Sequence, residues 1–212
     1  MPGPDLSFWQ DRFVRGATPW DRGAPSPQLE RWMTEGVLSP SAIDGQIAVP
    51  GCGTGHEVLA LARHGFDVVA IDYAQAACTA TQARLDADPA TSAHATTARV
   101  VCADVLAWVP EEPFAAVYEQ TCLCALHPDD WVRYSQALHG WLRPGGRLFL
   151  LAMQRLRPGA ADGIIEGPPY HVDVNALRAL FEGRRWSWQA PPYPRVPHPN
   201  GWHELALVLT RR

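Results

Sequence analysis

The sequence predicts an α/β protein built on a mostly parallel sheet with right-handed crossovers. Three observations carry that prediction. Short apolar runs alternate with helical stretches from Gln46 to about Ala152. A glycine turn, Gly51-Cys52-Gly53-Thr54-Gly55, follows the first apolar run. An acid, Asp72, closes the second run twenty-one residues after Gly51.

The elements follow in chain order. Residues 5–36 carry Trp9, Phe13, Trp20 and Trp32 with Pro and Gly between them, and read as a helix, a loop and a second helix. Strands are predicted at 46–50, 67–72, 99–103, 114–119 and 146–153, and helices at 55–65, 74–86 and 129–142. Leu142-Arg143-Pro144-Gly145-Gly146-Arg147 reads as a helix stop and tight turn. A helix over 174–182 follows Gly167-Pro168-Pro169-Tyr170, and strands near 185–189 and 203–210 close the chain. The Pro-rich stretch 190–202 between them reads as a loop, suited to a wall or lid over a site. No repeat or low-complexity linker divides residues 1–212, so one domain is expected, with a cover over 5–36 and a core over 46–212.

Composition narrows the class. At 212 residues and 47% apolar content the chain has the size and makeup of one globular domain. A net charge of −4 with no basic run argues against a nucleic-acid groove. No apolar segment reaches the roughly 18 residues of a membrane span. Met1-Pro2-Gly3-Pro4-Asp5 has neither a basic nor an apolar leader region. No signal peptide, no membrane partner and a cytoplasmic location are therefore expected. The five cysteines form no C-x-x-C pair. Cys52, Cys102, Cys122 and Cys124 lie in or beside apolar runs and read as small reduced core residues, with no metal site expected. All 18 basic residues are arginine, which carries no functional information.

The glycine turn carries the first chemistry. Glycines reach positive φ and let a ligand approach the backbone. An acid at the end of the second strand accepts hydrogen bonds from ribose hydroxyls. The spacing is G-x-G-x-G and not G-x-G-x-x-G, which favours a nucleoside ligand without a pyrophosphate; S-adenosylmethionine is the common one. A nicotinamide dehydrogenase is disfavoured by that spacing and by the absence of lysine. In an open parallel sheet the ligand lies beyond the carboxyl ends of the strands. Gly51, Asp72, Asp104, Glu119 and Gln120 fall on that edge. Asp72 is the ribose candidate, and Asp104 with the Val105 backbone is the adenine candidate. A helix cap is the plainer role for either acid.

Trp9 and Phe13 share one helical face, and Trp20 follows in the turn Thr18-Pro19-Trp20-Asp21-Arg22-Gly23. Aromatics at this spacing usually staple a helix to a core. The sharper reading is a cover over a cationic cofactor, since aromatic faces stabilise cations by roughly 0.5–2 kcal/mol. Of the eight histidines, none forms a metal-binding pair motif. His56 opens the helix after the glycine turn, while His198 and His203 flank the end of the Pro-rich stretch. Arg195 and His198 are placed to attract an anionic substrate if that stretch is a lid.

Several longer patterns carry a resemblance. They are Trp9 through Pro27 (W-x3-F-x6-W-D-x-G-x-P-S-P), Val49 through His56 (V-P-G-C-G-T-G-H), Val69 through Tyr73, Phe114 through Leu126, Leu142 through Leu151, and Gly167 through Asp173 (G-P-P-Y-H-V-D). With these the chain resembles the thiopurine S-methyltransferase superfamily, in particular its bacterial and plant thiol and halide methyltransferases. The resemblance implies a class I methyltransferase fold, a Rossmann-like seven-stranded sheet with the last strand antiparallel. It implies S-adenosyl-L-methionine as cofactor and S-adenosyl-L-homocysteine as product. It implies cofactor contacts at Trp9, Phe13, Trp20, Gly51, Gly53, Asp72, Asp104, Val105 and Gln120. Pro168, Pro169 and Tyr170 are expected on the acceptor side. Two positions depart from the family pattern. Phe13 stands where plant relatives often have Trp, and Gln120 where relatives commonly carry Tyr or Arg.

The expected reaction is methyl transfer to a small soft nucleophile, foremost a thiol or other sulfur acceptor, with thiocyanate and halide also in range. Such an in-line displacement needs no metal. Alignment supplies about 7–11 kcal/mol in favourable cases, and water must be excluded. A base is required only for an acceptor that is protonated at working pH, and Glu119 and Tyr170 are the catalytic candidates. The rival readings are an N- or O-methyltransferase of a small metabolite, with Glu119 or His198 as base, and a non-catalytic cofactor-binding protein on the same fold. The expected partner is a small-molecule acceptor, and the expected state a monomer or weak homodimer.

Overall fold

A computed structural model of the chain describes residues 3–88 and 97–212. Met1 and Pro2 of the N-terminal run lie outside them. Among the described residues eight strands form one mixed sheet: β1 (Ile47–Pro50), β2 (Val68–Asp72), β3 (Ala98–Cys102), β4 (Phe114–Gln120), β5 (Leu142–Gln154), β6 (Trp186–Trp188), β7 (Arg195–Pro197) and β8 (His203–Arg211). The main path runs β3-β2-β1-β4-β5-β8-β6, with β7 also paired to β8. β1 to β5 are mutually parallel, and β8 runs antiparallel to β5. The expected seven-stranded order is therefore present on the main path. The additional strand, β7, falls in the Pro-rich stretch predicted to lack structure. It is only three residues long between prolines, so no period-2 pattern marks it.

Helices pack on both faces. α1 (Leu6–Val14) and α2 (Pro27–Thr34) precede the sheet. α3 (His56–Arg63) and α4 (Gln75–Asp86) follow β1 and β2. α5 (Cys122–Ala125) and α6 (Trp131–Trp141) join β4 to β5, and α7 (Val174–Leu180) precedes β6. The starts are locally encoded. Asp5 accepts the Phe8 N–H at 2.9 Å before α1, and Ser26 caps α2 with Pro27 at its first position.

β1, β2 and β4 are buried on both sides, which is why they read as continuous apolar runs. Successive residues enter opposite cores. Ala48, Val69, Ile71, Val117, Leu148 and Leu150 join one cluster, with Leu138 of α6 and Leu177 of α7. Ile47, Val49, Val68, Ala70, Ala116 and Phe149 join the other, with Leu29 of α2 and Leu61 of α3. The turn expected at Leu142–Arg147 is absorbed into β5 as a break in register: Leu142 pairs with Phe114 and Arg147 with Ala116. The carboxyl ends of β1 to β4 place Gly51, Asp72, Asp104 and Gln120 along one edge.

The cysteines are all free, and Cys52, Cys78, Cys122 and Cys124 are buried. Cys102 departs from the core expectation and is exposed, because it ends β3, the outermost strand on its side of the sheet. Among the described residues no helix is long and apolar enough to cross a membrane.

Candidate active site

A cavity of about 280 Å³ opens over the carboxyl edge of β1, β2 and β4. Its floor is the glycine turn. Gly51 has φ +61°, and a Cβ there would meet the Cys122 Cβ at 2.9 Å, so both conformation and space select glycine. Gly53 has φ +54°, and its α-carbon faces the Phe13 ring, the nearest atom 3.7 Å from where a Cβ would stand.

Asp72 is nearly buried beside this turn. Its Oδ2 accepts the Gly53 N–H at 3.1 Å and its Oδ1 accepts the Ala74 N–H at 3.0 Å. Burial raises its carboxyl pKa, against the lowering effect of those N–H groups. Each oxygen has lone-pair capacity left for a ligand hydroxyl. Asp104 and Val105 border the cavity farther along the edge. Asp104 Oδ1 also accepts the Leu106 N–H at 2.8 Å, so the capping role is real and leaves its second oxygen to the site.

Trp9, Phe13 and Trp20 roof the cavity. Trp20 meets Trp9 edge-on at 5.4 Å and Phe13 at 6.0 Å. These rings belong to neither core cluster, and no residue of α1 is fully buried. Trp32, by contrast, is a core residue against Phe149 and Tyr118. The roof is tied down on both sides. Gln10 Oε1 accepts the Ala76 N–H at 3.0 Å. Asp21 accepts the Thr54 hydroxyl at 2.6 Å and lies 3.2 Å from His56 Nε2. Arg84 Nε donates to the Thr54 carbonyl at 2.6 Å.

Gln120 ends β4 in a polar network. Its Nε2 donates to both carboxylate oxygens of Glu204 at 3.1 Å, and its Oε1 accepts the Tyr118 hydroxyl at 2.7 Å. Arg22 completes the set, donating to Glu204 Oε2 at 3.1 Å and to the Pro197 carbonyl at 3.0 Å. The next residue, Thr121, takes φ +67°, a strained conformation for a branched residue at the cavity wall. Met153, Pro168, Pro169 and Trp202 form an apolar wall on this side.

Eleven sequence candidates thus converge on one cavity: Trp9, Phe13, Trp20, Gly51, Gly53, Asp72, Asp104, Val105, Gln120, Pro168 and Pro169. Four are not among its lining residues. Glu119 is fully buried, with Oε1 accepting the Leu123 N–H at 2.6 Å and Oε2 unpartnered. Burial pushes its carboxyl up to about 8. Tyr170 folds its ring onto Gly167 and packs edge-on against His127 at 5.5 Å, while its N–H donates to the Cys124 carbonyl. His198 is buried with Nε2 3.1 Å from the Trp20 carbonyl, so it braces the roof. Arg195 is exposed on β7, 3.4 Å from His203 Nδ1.

Residues not singled out as site candidates also line the cavity. Arg22 and Glu57 do, and Glu204 reaches it through Gln120. Glu57 sits in the first turn of α3, where an acid favours any helix, and its Oε1 accepts the Ser26 N–H at 3.1 Å. Burial pushes its carboxyl up to about 7. No group of metal-ligating side chains occurs among the described residues.

This arrangement fits S-adenosylmethionine: a glycine cradle where a Cβ would clash, an acid on the ribose edge, and aromatic rings held out of the core. Fold and site define a class I methyltransferase that uses this cofactor. Residues 4–192 match the model of the thiopurine S-methyltransferase family, and the chain belongs to that family. A probable thiol methyltransferase 2 of Arabidopsis thaliana is 31% identical over 173 residues, 82% of this chain and 70% of the relative. A thiopurine S-methyltransferase of Bordetella pertussis is 30% identical over 190 residues, covering 84% and 82% of the two chains. Among solved structures, the 1,6-didemethyltoxoflavin-N1-methyltransferase of Burkholderia thailandensis superposes with a TM-score of 0.73 at 19% identity, covering 97% of this chain and 86% of that one.

Proposed function

We propose that the protein transfers a methyl group from S-adenosylmethionine to a small soft acceptor, a thiol or another sulfur nucleophile. One observation carries this reading. On the acceptor side one chain of hydrogen bonds runs from Arg22 through Glu204 and Gln120 to Tyr118, and Met153, Pro168, Pro169 and Trp202 add an apolar wall. Such a wall suits a polarisable nucleophile that needs no proton removed by the protein.

When bound, S-adenosylmethionine supplies a methyl group on a positively charged sulfur, open to in-line displacement. The chain's residues do the rest by binding and exclusion. Asp72 accepts ribose hydroxyls with its free lone pairs, and Asp104 with the Val105 backbone reads the adenine edge. Trp9, Phe13 and Trp20 present aromatic faces that suit a soft cation. A roof seated over the bound cofactor would shield the acceptor from water, so that a thiolate there is not stabilised by solvation. The names of the relatives agree with a sulfur acceptor, since they include a thiol and a thiopurine S-methyltransferase.

A second reading is favoured by Glu57. A carboxyl pushed up to about 7 at the cavity wall is poised as a general base for a nitrogen or oxygen acceptor. The two are separated by the pH dependence of kcat/KM for two thiols of different acidity. The midpoint is expected to move with the thiol's own ionisation. A midpoint fixed near 7 for both, and lost in Glu57→Gln, overturns the base-free reading.

A further inference from the structure

We propose that Arg22 is a positioning residue for methyl transfer: acting through the buried carboxylate of Glu204, it fixes the side-chain amide of Gln120 where cofactor and acceptor meet. The proposal rests on the methyl-transfer reading above and adds how the acceptor side is assembled.

Gln120 Nε2 lies 3.1 Å from both oxygens of Glu204, an N–H shared between them, and its oxygen accepts the Tyr118 hydroxyl, so a flip of the amide breaks both contacts. Glu204 is fully buried on β8, opposite Met153 of β5 and Val196 of β7. A carboxylate there is costly without a counter-charge. Arg22 supplies it, with its own side chain 9% exposed. The other charged or titratable neighbours of Glu204 are Glu57, Tyr118, Glu119 and Cys124, and none of them is a cation. His198 faces Arg22, whose charge holds that imidazole towards its neutral form after burial has already lowered it.

Arg22 comes from the N-terminal cover, 182 residues from Glu204 in sequence. Its neighbours hold the same cover elsewhere: Asp21 on Thr54 of the glycine turn, and the Trp20 carbonyl on His198. Three consecutive residues therefore connect the roof, the cofactor turn and the acceptor wall. A seated cover brings the counter-charge to Glu204, and only an ionised Glu204 offers the Gln120 N–H two acceptor oxygens. A protonated Glu204 keeps one carbonyl acceptor and brings a competing donor, so the amide loses its fixed orientation.

The test compares the wild type with Arg22→Met, Glu204→Gln and the double variant. The acceptor is thiocyanate, which stays ionised across the range. Burial raises the Glu204 carboxyl even beside Arg22, and removing Arg22 is expected to raise it further, so that the group is protonated at the lower pH tested and ionised at the higher. Relative to wild type at each pH, Arg22→Met is expected to lose at least tenfold in kcat/KM at pH 6.5 and less than threefold at pH 9. A protonated-carboxyl infrared band is expected at pH 6.5 that disappears in the double variant. The double variant keeps an amide acceptor for Gln120 and has no buried charge. It is expected within threefold of wild type at both pH values, whereas Glu204→Gln alone loses at least tenfold at both. If Arg22→Met does not fold, that last contrast decides. Equal losses in Arg22→Met and the double variant, unchanged by pH, overturn the proposal. If the wild type turns over no thiocyanate, thiocyanate alone is excluded as the sulfur acceptor. The S-adenosylhomocysteine affinities of the four proteins then decide the positioning role: a loss in Arg22→Met at pH 6.5 restored in the double variant supports it, and equal losses overturn it.

Discussion

Thr54 donates its hydroxyl to Asp21 at 2.6 Å, and this one bond fastens the N-terminal cover to the glycine turn. Asp21 also accepts the Gly23 N–H at 2.7 Å, which fixes its own loop. Burial works to raise the Asp21 carboxyl pKa. The Thr54 and Gly23 donors, with His56 and Arg84 nearby, outweigh it and hold the group below its ordinary value. The carboxylate therefore stays charged throughout the neutral range. Thr54→Val removes the donor and keeps the shape. A hydrogen bond to a charged group contributes about 1.5–3 kcal/mol, so cofactor affinity is expected to fall about tenfold, read by calorimetry with S-adenosylhomocysteine. Unchanged affinity would show that the cover stays seated without this bond.

The two tryptophans of the N-terminal segment are expected to separate binding from stability. Trp20 lies outside both core clusters, and Trp32 is 5% exposed inside one of them. Trp20→Ala is expected to cut S-adenosylhomocysteine affinity at least tenfold while the melting temperature of the free protein stays nearly fixed. Trp32→Ala is expected to cost about 3–5 kcal/mol of stability, as large core truncations do. Calorimetry and thermal melts on both variants check this, and the reverse pattern would make Trp20 the structural residue.

Asp72 joins the turn to the second strand through the Gly53 and Ala74 N–H groups. Asp72→Ala is expected to weaken cofactor binding tenfold or more, about 1.4 kcal/mol. A folded variant with full affinity would remove Asp72 from the ribose.

Two carboxyls make stability depend on pH. Burial raises Glu119 to about 8 and Glu57 to about 7, from an ordinary 4.5. The folded chain then binds more protons than the unfolded chain between about 4.5 and about 8. Their contribution to stability is full below that window and declines as pH rises through it. Glu119→Gln is expected to flatten this slope in thermal melts between pH 5 and pH 8. An unchanged slope would mean that Glu119 is ionised in the folded state.

Much of this was legible in the chain because the signals were local. β1, β2 and β4 bury both faces, so their runs are continuously apolar. Gly51 and Asp72 are marked by spacing, and Trp20 by its ordered turn. The Arg22–Glu204 pair is not legible, because nothing local ties residues 182 positions apart. Glu57 hides as an ordinary first-turn acid of α3. Glu119 and Tyr170 sit beside site residues in sequence, yet strand alternation turns Glu119 inward and the Gly167 contact turns Tyr170 away. β7 is too short to show a period.

The most direct test of the methyl-transfer account is incubation of the protein with methyl-labelled S-adenosylmethionine against a panel of thiols, thiocyanate, halides, amines and phenols. Volatile and non-volatile products are both counted. The account predicts label on a sulfur acceptor, with amines and phenols at background. Label on amines or phenols with none on sulfur, or none on any acceptor despite cofactor binding, would contradict it.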